Sequence, residues 1–441
     1  MTDSKEKHGE YIKYGGSEGI ISINWYTDGN HDCSLDVSDG EHSYLHGDGE
    51  LWQKYTLKDG RPVGKWVLYH SNGQISAFRN YKNGLKEGIW KSWHDDGSQW
   101  DELVYKNNKR NGVSKRWRYD EVPEYEGQYK NDKEVGEWVY YYDNGQKEYQ
   151  GNYKNGKKVE EWFKFDKDTG KKSGKLNYVN DKLEGRYTKL NNDGLVILKG
   201  QYKNDKKIGK WTYKNEDGKV SKTENYIDEK LHGEVIYWHL DGEKWKEQNY
   251  KNGVLDGKFI IYHLNGSPSQ KGEFKDGNKV GKWNSYHSTG IKKGYEKYEN
   301  GKKVGLWKEW FGDGRKKSWG KYVNDKKDDV WETWHKNTIL WKRICYKKGK
   351  RIGKCTEWHF DGKLKSVTYY KNNKLNGLWD QWFLNGIKRS SGKMYQDKMD
   401  GKWTFHYHNG QKESEIICEN GILVKGKVWH DNGKLKVGYE V

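Results

Sequence analysis

The residues best suited to chemistry in this chain are its histidines. His70, His94, His239, His263, His287, His335, His359 and His430 each follow an aromatic residue, and imidazole rings in a row suggest metal ligation. Ligands of one zinc ion lie within ~2 Å of it, so they sit only a few ångströms from each other. Asp168-Thr169-Gly170-Lys171-Lys172-Ser173 has the ending of a phosphate-binding loop but lacks the upstream glycine. Asp39-Gly40-Glu41 and Asp48-Gly49-Glu50 are acidic enough to suggest calcium, but their spacing does not match an EF-hand loop. Cys33, Cys345, Cys355 and Cys418 form no CxxC pair and no even framework, which points to a reducing, intracellular setting. No Ser/His/Asp arrangement or carboxylate pair stands apart from the surrounding pattern. The expectation is therefore no enzyme, no bound metal and no cofactor.

The elements that position these residues come from a repeat. Starting at Tyr81, an aromatic followed by a turn returns at Tyr105, Tyr129 and Tyr153, and continues to Cys418 in steps of about 24 residues. Each unit reads Tyr-Lys-Asn-Gly-x-Lys-Val-Gly-x-Trp-x-x-aromatic-x-x-Asn-Gly. The histidines follow the second aromatic and are copied with it. Equivalent residues of neighbouring units should lie roughly 9.6 Å apart, too far for two to share a metal without other ligands.

Each unit carries two turn signals, such as Asn83-Gly84 and Asp96-Gly97, which leaves two short strands between them. No apolar 3.6-residue period runs between the turns, so helix is not expected. If Asp96-Gly97 is a two-residue loop, Asp95 pairs with Ser98, Trp90 with Leu103, and Gly88 with Tyr105. The same arithmetic puts Gly136 opposite Tyr153, with the ring free to cover the glycine. A second two-residue loop at Asn107-Asn108 would pair Leu103 with Gly112. Gly88, Trp90 and Tyr105 then share one face, and the Trp93 position takes the other. The fold class expected is all-β: an elongated, twisted, single-layer antiparallel meander of tandem hairpins, on the order of 150 Å long if straight. Residues 1–56 would form an N-terminal cap with a degenerate repeat, and 57–441 about sixteen repeats.

Composition agrees. Hydrophobic residues make up 32% of the 441 residues and aromatics 15%, so nearly half the apolar inventory is aromatic, including 24 Trp and 34 Tyr. A chain this charged and this poor in aliphatics would often be disordered, but disordered chains lack such rings. The start of the chain shows no signal peptide, and no stretch is long and apolar enough to span a membrane.

The pattern resembles the MORN repeat, most closely its variant form, found in bacterial proteins, including antitoxin-type proteins, and in giant DNA viruses. It is carried by Tyr298-Glu299-Asn300-Gly301-Lys302-Lys303-Val304-Gly305-Leu306-Trp307 and by Trp93-His94-Asp95-Asp96-Gly97. The resemblance implies stacked hairpins used for protein contacts or scaffolding, with lipid binding in some members. Departures are Glu160 and Asp329 for the glycine, Val235 and Cys355 for the tryptophan, and Glu121-Val122-Pro123-Glu124 at one turn. Those units are expected to be irregular or locally specialised.

The expected function is protein–protein interaction or structural assembly. The candidate surface is the second aromatic row: Trp93, Tyr141, Trp238, Tyr262, Tyr286, Trp310, Trp334, Trp358 and Trp382. The net charge of +18 supports an alternative, a peripheral binder of acidic phospholipid or another polyanion. Its edge would be Lys157, Lys158, Lys206, Lys207, Lys302, Lys303, Lys326 and Lys327. A protein partner is expected before acidic lipid, and acidic lipid before nucleic acid. The setting expected is the cytoplasm, or a host cytoplasm or virion if the source is viral.

Overall fold

The computed structural model describes residues 9–15, 19–27, 30–34, 38–47 and 49–440. Among them there is no helix. Gly9–Gly15, Gly19–Thr27 and Asn30–Ser34 form a separate three-stranded antiparallel sheet. The chain divides into two compact units, the first, this sheet included, ending at Lys219 and the second starting at Val220. Within each, strands pair antiparallel with their chain neighbours only, so each is an open meander. The hairpin of Gly40–Leu45 and Leu51–Lys58 sets Gly40 opposite Leu57, the relation Gly64 has to Tyr81.

The two turns of a repeat differ. Asn107 and Asn108 have φ of 49° and 67°, as do their counterparts Asn131 and Asp132 at 51° and 65°. Both central residues are left-handed, so these are two-residue turns matched to strand twist. Asp96-Gly97 is not such a turn. His94 N donates to Ser98 O (2.9 Å) and Gly97 N to His94 O (3.1 Å), which encloses three residues, with Gly97 at φ 89°. The expected pairing of Asp95 with Ser98 is therefore wrong. The register beyond it is right, because Trp100 bulges from its strand and restores Trp90 opposite Leu103 and Gly88 opposite Tyr105.

The expected pairing of Leu103 with Gly112 is also wrong: Leu103 faces Ser114. A wider bulge intervenes after each two-residue turn. In the next repeat Gln128 pairs with Val135 and Glu126 with Val139, so Gly136, Glu137 and Trp138 stand against Gly127 alone. Gly136 has φ 66° and a Cβ there would meet nothing within 4 Å, so it is needed for backbone shape, not as a seat for a tyrosine ring.

The bulge brings the tryptophan level with a different glycine. Trp138, Trp162, Trp211, Trp283, Trp331 and Trp403 are buried. Each lies on the glycine of the preceding strand (Gly127, Gly151, Gly200, Gly272, Gly320 and Gly392), where a Cβ would sit 2.1 to 2.3 Å from the ring. Except after Gly392, where Met394 stands, a tyrosine or phenylalanine two residues further on meets the indole edge-on, with centroids 5.1 Å apart for Tyr153–Trp162 and Phe274–Trp283. The indole N–H of Trp162 donates to Asn152 O at 3.2 Å. These rings form the core, and within each unit they occupy one face of the sheet.

The departures are not irregular in backbone. Glu160 (φ 59°) and Asp329 (φ 66°) hold the left-handed shape of the glycine they replace, and Glu121 (φ 60°) holds that of a turn glycine. Glu121 N still donates to Arg118 O (3.1 Å), and Arg118 N to Val122 O (2.9 Å), so that turn is intact. The surrounding ladder imposes the shape, and the side chain bears the strain.

Candidate interaction surface

The turns along one edge tie each repeat to the next. The Nε2 atoms of His70, His263, His287, His335 and His359 lie 3.0, 3.0, 3.3, 3.4 and 3.1 Å from the carbonyl oxygen of the second aromatic one repeat on. A ring that carries its proton on Nε2 donates to that carbonyl. Tyr142 Oη does the same to Phe165 O at 3.1 Å. Asn72, Asn144 and Asn265 donate side-chain N–H groups to Asp95 O (2.6 Å), Lys167 O (2.7 Å) and Ser288 O (2.8 Å). At the other edge Asp132 accepts from Arg110 N (2.8 Å), Asp181 from Lys158 N (2.7 Å) and Asp325 from Lys303 N (2.8 Å). Five of the eight histidines of the row are thus part of the inter-repeat bonding, and no group of three metal-ligating side chains occurs among the described residues.

The other sequence candidates are also placed. Gly170 closes a turn in which Asp166 Oδ1 accepts from the backbone N of Asp168 (3.2 Å) and Thr169 (2.9 Å), so the phosphate-loop-like residues cap a turn. Asp39 Oδ1 accepts from Gly60 N at 2.8 Å. Asp48 and the Cys33 side chain lie outside the described residues. Cys355 and Cys418 are buried free thiols, and burial pushes both above the ordinary thiol range.

The lysine pairs split. Lys157, Lys206, Lys302 and Lys326 are exposed, while Lys158, Lys207, Lys303 and Lys327 are half-buried. The second set lies over the core indoles, with Nζ 4.3, 4.5, 4.1 and 4.1 Å from the ring centroids of Trp162, Trp211, Trp307 and Trp331. Burial draws Lys158 and Lys327 below the usual lysine range. Half of the expected cationic edge is therefore engaged with the core.

The opposite face carries the second aromatic row. Trp93, Tyr141, Trp238, Tyr262, Tyr286, Trp310, Trp334, Trp358 and Trp382 are all half-buried. Cross-strand neighbours shield them: Trp319 lies 6.5 Å from Trp310 and 5.5 Å from Trp334, with Lys308 and Lys316 over its ring at 4.5 and 4.2 Å. Tyr141 Oη donates to Glu126 at 2.9 Å. Glu247 is buried on this face. Burial raises its pKa, but hydrogen bonds from Lys244, Lys258 and Tyr262 outweigh burial and hold it at about 2.

More accessible rings were missed in the sequence. Trp100, Trp245 and Trp341 are 44%, 46% and 44% exposed. Each stands at the bulge after a three-residue turn and against that turn's histidine: His94, His239 and His335, at 5.8, 6.2 and 5.6 Å. Their common place, three residues after the last turn residue, is a signal the sequence carried. Leu240, Leu264 and Phe360 add exposed apolar tips on the turns.

In the first unit a groove of about 890 Å³ opens beside Gly174, lined by Tyr149, Lys164, Leu176, Tyr187 and Lys189 among others. Gly174 pairs with Lys164 on one side and Lys189 on the other. Gly174 is buried and both lysines are exposed. Burial pulls the Lys164 ammonium down, but its hydrogen bond to Tyr149 and nearby phenol and carboxylate charges leave it raised.

Five segments match the MORN repeat variant: residues 134–155, 231–252, 255–276, 351–372 and 399–417. None of the curated proteins matches the chain. Among solved structures it is similar to the crystal structure of TcdB2-TccC3-Cdc42, with 8% identity, 95% of this chain aligned to 28% of that one and a TM-score of 0.15. It is likewise similar to the Photorhabdus luminescens Tc holotoxin pore, with 10% identity, 96% of this chain, 22% of that one and a TM-score of 0.14. The chain thus spans about a quarter of the length of the solved structures it matches, and superposition this poor carries no argument. No helix among the described residues is long and apolar enough to cross a membrane.

Proposed function

We propose that this protein is a non-enzymatic repeat scaffold that binds a protein partner through the face opposite its tryptophan–glycine core. The observation that carries this reading is the periodic row of half-buried aromatics on that face. Large rings held by a rigid ladder lose little conformational freedom on binding, which is why such residues dominate interface energetics. The matches to the MORN repeat variant support a role in binding or assembly. Unpaired, buried thiols suit a reducing interior compartment.

A second reading, attachment to acidic lipid, rests on the exposed Lys157, Lys206, Lys302 and Lys326. One experiment separates the two. The full chain and its Trp310→Ser/Trp358→Ser variant, shown to be folded by circular dichroism, are immobilised and exposed to extract of the native source at low and moderate salt. The scaffold reading expects a defined protein retained at both salts and lost by the variant. Loss of all retention at moderate salt, together with flotation on vesicles containing phosphatidylserine, would instead favour the lipid reading.

A further inference from the structure

The strand row that contains Gly174 runs through equivalent positions of the other repeats, where Tyr125, Tyr149, Leu198, Lys222, Lys246 and Gln270 fill the space above the sheet. Gly294 is another glycine of the row, but Ser285 Oγ stands 2.6 Å from where its Cβ would be, and its other neighbour is Glu309. Gly174 is the described position in this row where an empty place lies between two lysines. Lys164 and Lys189 stand one strand to either side, roughly 9.6 Å apart at Cα, so both can reach an oxyanion above the glycine. The same repeat has Leu176 and Tyr187 where its neighbours have a glycine and a tryptophan, and Tyr149 and Tyr187 form apolar walls. The groove is open, and its volume lies in the range of sites that take a small ligand or a short peptide.

We propose that this groove binds an acidic peptide of a protein partner, one carboxylate between Lys164 and Lys189 and an adjacent aromatic side chain against Tyr149 and Tyr187. The rim decides against an extended polyanion. Asp166, Asp193 and Glu216 line the turn side, where the one lysine, Lys167, is paired with Asp143, and the carboxylates repel a run of phosphates while leaving room for a single charge. The proposal deepens the scaffold reading by naming the partner's chemistry. Its test is made on the isolated full chain, so a groove that binds nothing leaves the claim for the opposite face standing.

The probes are fluorescein-labelled peptides Gly-Ser-Glu-Phe-Ser-Gly, its Gln-Phe and Lys-Phe counterparts, and its phosphoserine-Phe counterpart, read by anisotropy at low ionic strength. The Glu-Phe peptide is expected to bind at least about tenfold more tightly than Gln-Phe, the scale of a charge-assisted pair. The Lys164→Glu/Lys189→Glu variant, altered only at exposed side chains, should lose the Glu-Phe peptide and gain the Lys-Phe one. Circular dichroism unchanged from the native chain confirms that the variant is folded. Equal binding of Glu-Phe and Gln-Phe, or undiminished Glu-Phe binding by a folded variant, overturns the proposal. Binding of the phosphoserine peptide alone also overturns it, since the site would then be one for phosphate.

Discussion

Three successive repeats of the first unit differ chiefly in one pair of residues. Trp162 lies on Gly151 and Trp211 on Gly200, and both indoles are buried to 1% or less. The repeat between them has Leu176 and Tyr187 in those places, and both are half-buried beside the groove. The difference teaches that volume is shared across the pair. A glycine makes room for an indole to lie flat and buried, whereas over the larger Arg79, Glu296 and Thr368 the indoles of Trp90, Trp307 and Trp379 stay half-buried. The rule extends to Leu103 opposite Ser114, Gln248 opposite Phe259 and Ile344 opposite Cys355. Tyr55 with Trp66 is the informative exception, because there two rings stack at 4.3 Å. The loss of the tryptophan at Val235 and Cys355 is therefore compensated by neighbours within the same repeat.

The largest expected effect separates the two kinds of repeat. Trp162→Ala should cost about 4 kcal/mol and Tyr187→Ala about 2 kcal/mol, because only the first empties a fully packed site. In an array the loss is local. It is therefore read by hydrogen exchange of the flanking strands, Lys147–Lys154 and Lys157–Phe165 against Lys172–Val179 and Gly185–Leu190. Equal losses would break the comparison.

Acid sharpens it. The repeat of Gln248 and Phe259 lacks the tryptophan–glycine pair but has Glu247 buried between Lys244 and Lys258. Its carboxylate is held at about 2, below the ordinary value of 4.5, so its stabilisation is complete above about 4.5 and is lost as pH falls toward 2. The contribution is on the order of 2–3 kcal/mol. Exchange in Lys244–Lys251 and Val254–Tyr262 should accelerate across that window in the native chain. In Glu247→Gln it should already be fast at neutral pH and change little with acid. Parallel pH profiles for the two proteins would contradict the assignment.

The smallest effect concerns backbone strain. Thr338 is β-branched and sits at φ 71° in a turn where most repeats have glycine. Thr338→Gly should stabilise that hairpin by about 1 kcal/mol, seen as slower exchange in Leu340–Lys347. No gain would show that the turn's own hydrogen bonds already offset the strain.

Much of this was legible in the sequence. The period, the two strands per repeat, the pairing of Gly88 with Tyr105 and the separation of Trp90 from Trp93 all follow from turn residues and alternation. The bulges were not legible, because a three-residue turn and a one-residue bulge cancel in register and leave no trace in the spacing. The seat of the tryptophan was missed for the same reason. Gly127, Gly151, Gly200, Gly272, Gly320 and Gly392 recur at multiples of the repeat, but a strict register sets Gly151 between Trp138 and Glu160 and not under Trp162. The lysine pairs read as one charged edge because sequence does not show that Lys158 folds back over Trp162 while Lys157 faces water. The groove was not legible at all: it arises where Gly174, Leu176 and Tyr187 coincide, and none of them is unusual alone.

The account stands most directly on the coupling between Gly151 and Trp162. A double-mutant cycle of Gly151→Leu and Trp162→Ser, read by hydrogen exchange of Lys147–Lys154 and Lys157–Phe165, recreates the pair that Leu103 and Ser114 form natively. Each single change should cost about 3 kcal/mol or more. The double variant should cost less than their sum by at least about 2 kcal/mol, since the leucine fills the space the indole leaves. Costs that simply add would contradict the claim that glycine and tryptophan share one volume.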